Sequence, residues 1–387
     1  MTLSTFKHVK IKGISSVVPK KEINIYDEAE YYNNSVKKID RMRQIVGFYK
    51  RRVVEEGTTA SDLCIQAAEK LLKDMNIDRK TVDALIFVRQ RADVSRPATA
   101  FYIHEQLKLD KTTMAFDICL GCTGWMQGLL VAHSLIESRA CNKVLLLAGD
   151  TPSLDIKKDN RISAPVFGDG GSATLCEYSD EEIMSYFDAG SDGTGFEAII
   201  TPASGYRFGF KHPIDENIDD NKELLEPIIS KFGHETRITD IYMDGVRVFE
   251  FTMQEAPASI KRVMNFSNLT CEDIDYLMLH QANKQIVQTI ANSTGFDDEK
   301  APYSSFENYG NASVTSIPIS INHNFYNKIN TAKILCCGFG NGLAWCSGIF
   351  DLKNIYLSGV QNYEEPANKK NRQDWINYWK KKIKGEI

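Results

Sequence analysis

Lys70-Leu71-Leu72, Asn76-Ile77 and Val82-Asp83-Ala84-Leu85-Ile86 return as Arg262-Val263-Met264, Asn268-Leu269 and Ile274-Asp275-Tyr276-Leu277-Met278, an offset of 192 (position 70 against 262). Each block reads as a helix, a turn and a buried strand. Phe116-Asp117 is echoed by Phe306-Glu307, and Lys143-Val144-Leu145 by Lys333-Ile334-Leu335, both at an offset of 190 (143 against 333). A repeat near half the chain length with its order preserved means one protein built from two similar halves. Short apolar runs alternate with helical-period segments such as 60–72 and 124–138. That alternation predicts crossover units around a largely parallel sheet, hence two pseudo-symmetric βαβ halves of α/β class. The first half is expected over 1–178 and the second over 236–353. Residues 179–235 form a connecting and substrate-capping region, and 354–387 a basic C-terminal tail.

Composition limits the partners. With 43% hydrophobic and 25% charged residues, the 387-residue chain has the material for a large buried core. A net charge of -5 gives no electrostatic case for nucleic acid or an anionic membrane. Residues 1–12 lack an apolar signal region, and apolar runs such as 144–148 are far shorter than a membrane span. A cytoplasmic protein is expected. Nine cysteines, several within apolar runs (Cys176, Cys336, Cys337), suit reduced thiols better than a disulfide framework. The sequon Asn292-Ser293-Thr294 then carries no glycan. Residues 366–387 hold seven Lys/Arg against two Asp/Glu, and Trp375, Trp379 and Ile383 recur every fourth position. This predicts a basic amphipathic helix that packs on its own domain or dimer, the alternative being an acidic partner protein.

Four turns carry candidate chemistry. Ala115-Phe116-Asp117-Ile118-Cys119-Leu120-Gly121-Cys122-Thr123-Gly124-Trp125-Met126 reads as a strand, a small-residue turn and a helix starting near Cys122. A thiol there meets the positive end of the helix dipole and free backbone amides, so its pKa is expected to fall. Cys119 and Cys122 also form a Cys-x-x-Cys; with no second pair in the chain, neither a zinc site nor a redox pair is favoured. The strand period points Cys119 into the sheet packing. His280 ends the apolar run Tyr276-Leu277-Met278-Leu279, at the same sheet edge of the second half as Cys122 in the first. Asn308-Tyr309-Gly310-Asn311-Ala312-Ser313 is the second-half counterpart of the cysteine turn. Cys337-Gly338-Phe339-Gly340-Asn341-Gly342 lies between two strands, without the following helix that a dinucleotide fingerprint requires. It suits close backbone approach to a reacting carbonyl.

Phe116-Asp117-Ile118 leading to Cys122-Thr123-Gly124, then His280-Gln281-Ala282-Asn283 and Gly310-Asn311-Ala312-Ser313, resembles the β-ketoacyl-acyl carrier protein synthase III family. Phe167-Gly168-Asp169-Gly170 and Gly338-Phe339-Gly340-Asn341-Gly342 are similar to its further signatures. The resemblance implies the thiolase fold, with layers α-β-α-β-α, in a homodimer with a triad matched by Cys122, His280 and Asn311. It implies acylation of Cys122 by a thioester, then decarboxylative condensation with a malonyl thioester. His280 and Asn311 would serve the enolate oxygen, and the amides of Cys122 and Asn341 the acyl oxyanion. No cofactor is implied beyond coenzyme A or acyl carrier protein thioesters as substrates. Arg41, Arg96, Phe249 and Gly340 fall at substrate-binding positions, and Lys284, Lys261 and Arg262 at candidate carrier-docking positions.

Two departures bear on the substrate. Arg41 and Ile45 stand where the family resemblance leads one to expect a Trp and an Arg clamping adenine, which speaks against acetyl-coenzyme A as donor. Arg96 replaces an apolar residue expected to reach the acyl pocket across the dimer, which favours a polar or unusual acyl group and a specialised pathway in secondary metabolism or glycan assembly. The alternatives are an acyltransferase of the same fold that forms an ester or amide, a papain-like cysteine hydrolase and a silent scaffold.

Overall fold

The computed structural model describes residues 2–157, 160, 163–205, 207, 224–229 and 235–387. The acidic run 215–220, read as part of a capping region, lies outside them. The strands that build the two large sheets are β1 (Thr2–Phe6), β2 (Val9–Val18), β3 (Ala84–Arg89), β4 (Met114–Cys119), β5 (Lys143–Asp150), β6 (Gly170–Tyr178), β7 (Ser185–Ser191), β8 (Tyr276–Leu279), β9 (Thr331–Gly340), β10 (Ala344–Lys353) and β11 (Tyr356–Asn362). One sheet runs β11-β2-β6-β5-β3-β4 and the other β1-β7-β10-β9-β8.

The repeat is visible in the pairing. Strands β3 and β5 pair in parallel, as do β8 and β9, and each pair continues antiparallel, into β6 and β10 respectively. The sheets are therefore mixed, not largely parallel as expected. Strand β3 shows why its sequence is a continuous apolar run: Leu85 and Phe87 enter one core cluster while Ala84, Ile86 and Val88 enter another. A strand buried on both faces has no polar side to alternate.

The outer layer on the first sheet is α2 (Ala60–Asp74), whose Leu63, Ala67 and Leu71 pack with Leu85, Phe87 and Leu145. On the second sheet α4 (Gly245–Ser267) places Ala256, Ile260 and Val263 against Leu277, Leu279 and Leu335. Between the sheets lie α3 (Gly124–Glu137) and α6 (Ser316–Phe325), where Trp125, Met126 and Leu129 meet Ile317 and Ile321. Few polar side chains interrupt α3, as a central helix requires. The layers are thus α-β-α-β-α, the thiolase fold.

Three details differ from the sequence reading. Phe306 and Glu307 sit in the helix Ser304–Tyr309, whereas Phe116 and Asp117 sit in β4, so the duplication breaks there and the second sheet ends at β8. Strand β11, within the stretch read as a tail, is the edge strand of the first sheet, and β1 and β7 join the second. The basic helix forms as α7 (Arg372–Ile383), closed by a capping box between Asn371 and Asp374. Its apolar face is not packed on the body: Trp379 is 53% exposed and Ile383 82%. The remaining helices used below are α1 (Val36–Val46) and α5 (Lys284–Ser293).

Candidate active site

Strands β4, β8 and β9 end at the same region of the molecule, and the turns beyond them carry Cys122, His280 and Asn341. Helix α3 opens at Gly124, with Cys122 in the turn before it. The hairpin between β9 and β10 approaches so closely that a Cβ built on Gly340, at φ +145°, would lie 3.0 Å from the Cys122 Cβ and 3.1 Å from its Sγ. Only glycine fits there without displacing the sulfur. The Asn341 N–H and the Ser313 hydroxyl both favour negative charge on that sulfur.

The thiol is not lowered as expected from its helix position. Burial pushes it up to about 11, against the lowering effect of the Asn341 and Cys122 amides and the Ser313 hydroxyl, and the Asp150 carboxylate adds to the rise. Desolvation of a thiolate outweighs two or three donors here. Cys119, expected in the packing, is exposed because β4 is the outer strand of its sheet; its Sγ lies 3.5 Å from the Gln90 carbonyl.

His280 follows β8, and its N–H extends the ladder by donating to the Cys337 carbonyl at 2.9 Å. Asn283 then caps α5 by accepting from the Ile286 N–H, which explains the polar His-Gln-Ala-Asn turn. The imidazole is 2% exposed, stands edge-on to the Phe339 ring at 5.5 Å, and is pushed down to about 3 by burial. Nδ1 lies 2.7 Å from Ser316 Oγ, which also receives the Gln281 N–H at 3.5 Å. With Ser316 Oγ as the donor to Nδ1, the neutral ring carries its proton on Nε2.

Asn311 is held on three sides. Its N–H donates to the Val166 carbonyl at 2.8 Å, and its carbonyl accepts from the Gly168 N–H at 3.1 Å. Its Oδ1 accepts from the Ser313 N–H at 2.9 Å, which leaves the Nδ2 amide as the donor for a ligand oxygen. Gly168 is required for this clasp: a Cβ there would lie 2.0 Å from the Tyr309 carbonyl oxygen. The Phe167-Gly168-Asp169-Gly170 signature thus positions Asn311. Helix α6 opens at Ser316, after a single 3-10 turn over Ser313–Thr315.

Cys122, His280 and Asn311 are joined through shared neighbours: Phe339-Gly340-Asn341 links the first two, and Ser313 through Ser316 links the last two. The sequence reading missed Ser313 and Ser316. Their signal was present as hydroxyls two and five positions after Asn311 in an otherwise buried run. Ser313 also adopts a left-handed φ of +49°, a strained conformation at the centre of the site.

The outer residues are more dispersed. Arg41 lies exposed on α1, as does Ile45, and the guanidinium in this segment that finds an aromatic is Arg43, 4.1 Å over the Tyr49 ring. Lys284 sits at the start of α5 against Gly47, with its ammonium 4.9 Å from the Tyr303 ring. Arg96 and Lys261 are exposed. Phe249 is 41% exposed on α4, while the aromatic that turns inward is Phe251, packed beside Leu343 and Trp345.

Arg262 is not a free docking cation. Its guanidinium donates to the buried Asp188 carboxylate at 2.9 Å. Arg262→Ala leaves that carboxylate with the Trp345 indole N–H, 3.2 Å away, as its remaining side-chain donor. The expected result is a loss of about 3 kcal/mol or more in stability, measured by urea unfolding. An unchanged unfolding midpoint would contradict this assignment.

Comparison with known proteins agrees with the site. Residues 116–193 match the profile described as 3-oxoacyl-[acyl-carrier-protein (ACP)] synthase III, and residues 264–352 match its C-terminal counterpart. A putative 3-oxoacyl-[acyl-carrier-protein] synthase 3 of Campylobacter jejuni is 36% identical over 92% of this chain and 98% of its own length. A β-ketoacyl-[acyl-carrier-protein] synthase III of Campylobacter curvus is 31% identical over 89% of this chain and 97% of its own. The crystal structure of a 3-oxoacyl-(acyl-carrier protein) synthase from Burkholderia xenovorans superposes with a TM-score of 0.83 at 29% identity, covering 93% of this chain and 99% of that one. Among the described residues no helix is long and apolar enough to cross a membrane. The papain-like alternative has no place in these two sheets, and the turns that hold Cys122, His280 and Asn311 fall within the matched segments of a chain that belongs to the β-ketoacyl-acyl carrier protein synthase III family of condensing enzymes.

Proposed function

We propose that Cys122 takes an acyl group from a thioester and that a malonyl-type thioester then loses carbon dioxide and attacks the acyl-enzyme. The arrangement that carries this reading is that His280, with Nδ1 at Ser316 Oγ, and Asn311, with Oδ1 at the Ser313 N–H, keep Nε2 and Nδ2 as neutral donors on turns that share neighbours with Cys122. Two neutral donors suit a thioester oxygen that gains charge as carbon dioxide departs. The amides of Cys122 and Asn341 would hold the acyl oxyanion, and no step requires a cofactor.

Exposed Arg41 on α1 and Lys284, whose side chain lies against Gly47, suit an anionic carrier or coenzyme A arm, with exposed Lys261 a further docking cation. A homodimer is supported by the exposed edge strand β4, where Met114 is 43% exposed, and by Phe101, 54% exposed on the helix Thr99–Gln106. Arg96 lies on the loop before that helix and would reach the neighbouring acyl pocket, favouring a polar or carrier-bound acyl donor. The same reading places the enzyme in a specialised, cytoplasmic pathway.

The test is intact-protein mass spectrometry after exposure to a panel of acyl thioesters, with carbon dioxide release followed in parallel. The expected result is one acyl adduct at Cys122 and release matching product formation. Acyl transfer without carbon dioxide release would favour ester or amide synthesis, and equal efficiency with acetyl-coenzyme A would overturn the donor assignment.

A further inference from the structure

Behind Cys122 lies a buried polar cluster that the reaction as written does not use. Asp150 closes the apolar strand β5 and is 4% exposed. Gln90 follows β3, the parallel neighbour of β5. The Gln90 Nε2 donates to Asp150 Oδ2 at 2.5 Å and to Ser313 Oγ at 2.9 Å, while its Oε1 accepts from Asn341 Nδ2 at 3.2 Å. Ser313 and Asn341 belong to the second half of the chain and are the groups from it that favour charge on the Cys122 sulfur. A Cβ on Gly121 would lie 3.0 Å from the Gln90 side chain, so the carboxamide also packs on the nucleophile's own turn.

We propose that Gln90, oriented by Asp150, is a positioning residue that clamps Ser313 and Asn341 of the second half around the sulfur of the first. Every polar atom of the carboxamide is used, and its orientation is forced. Turning it over would set its oxygen against the Asp150 carboxylate and its NH2 against that of Asn341. The buried carboxylate is thus a template for the amide, and the amide for two groups at the nucleophile. Through Ser313 the clamp also supports Asn311, whose Oδ1 holds the Ser313 N–H. The titratable groups facing Asp150 are Asp155, Asp169, Cys64 and Cys122.

This inference rests on Cys122 as the nucleophile, and its test is independent of any acyl donor. Alkylation of Cys122 by iodoacetamide, resolved by peptide mass spectrometry across pH 7 to 10, reads thiolate formation directly. Gln90→Glu sets two carboxylates together and is expected to slow alkylation by about tenfold at fixed pH and to move its pH profile upward. Adding Asp150→Asn reverses donor and acceptor, since the new amide donates to the new carboxylate. The double variant removes the carboxylate pair but cannot donate to Ser313 Oγ, so it is expected to recover only part of the loss, to within about threefold of wild type. A thermal melt on each variant separates this from loss of folding. Wild-type alkylation in Gln90→Glu would overturn the proposal, as would a lowered melting temperature with an unmoved pH profile. Absence of rescue in the double variant, when it is folded, would also overturn it. If condensation fails in the wild type while these alkylation results hold, the reaction assignment falls and the clamp stands.

Discussion

Cys122→Ala is expected to abolish the acyl adduct and to lower product formation by on the order of 10⁴-fold or more, because nothing else at the site can form the covalent intermediate. The other cysteines do not substitute for it. Cys64, Cys141, Cys176, Cys336, Cys337 and Cys346 are buried, with their thiols raised by desolvation, Cys119 is exposed, and Cys271 lies against Gly295 in the second half. Folding should survive, since alanine is smaller and the neighbouring Gly340 only gains space. The pH dependence follows from the thiol's rise to about 11. Below that value the thiolate fraction grows about tenfold per pH unit, so acyl loading in the wild type should climb from pH 6 to 9 without a plateau near neutrality. An adduct of equal yield in Cys122→Ala would remove the nucleophile assignment. A plateau at pH 7 would instead show that an ion pair forms when the donor binds.

The sequence made the two-half architecture readable because both halves keep buried strands at a constant offset, and strands buried on both faces leave unbroken apolar runs. It also exposed Cys122, His280 and Asn311, since each stands in a polar or small-residue turn directly after such a run or its counterpart. What it hid depends on long-range pairing. The edge position of β4, which exposes Cys119, and the placement of β11 in the first sheet are set by strand neighbours that no local pattern encodes. The pKa of Cys122 was misread for a related reason. Helix position is local and visible, whereas desolvation comes from Gly340, Ser313 and other groups brought from the opposite half. Arg262 was likewise read as surface charge, because its partner Asp188 is 74 residues away in the chain.

His280→Ala is expected to lower decarboxylation of the malonyl donor by about 10²- to 10³-fold while leaving acyl loading of Cys122 within about tenfold of wild type. The two values at the site decide this. Burial raises the Cys122 thiol and lowers the His280 imidazole, and both shifts oppose proton transfer from the one to the other. His280 is therefore a poor base for Cys122 and a competent neutral donor. With its pKa depressed by burial, the ring stays uncharged from about pH 4 upward, so no inflection near 6.5 should appear in the decarboxylation profile. In the proposed mechanism acyl loading depends on the backbone amides of Cys122 and Asn341, which this substitution does not touch. Single-turnover measurements of adduct formation and of carbon dioxide release separate the steps. If both fall together in His280→Ala, the imidazole also activates the sulfur, and the division of labour between the two halves must be redrawn with His280 acting on both.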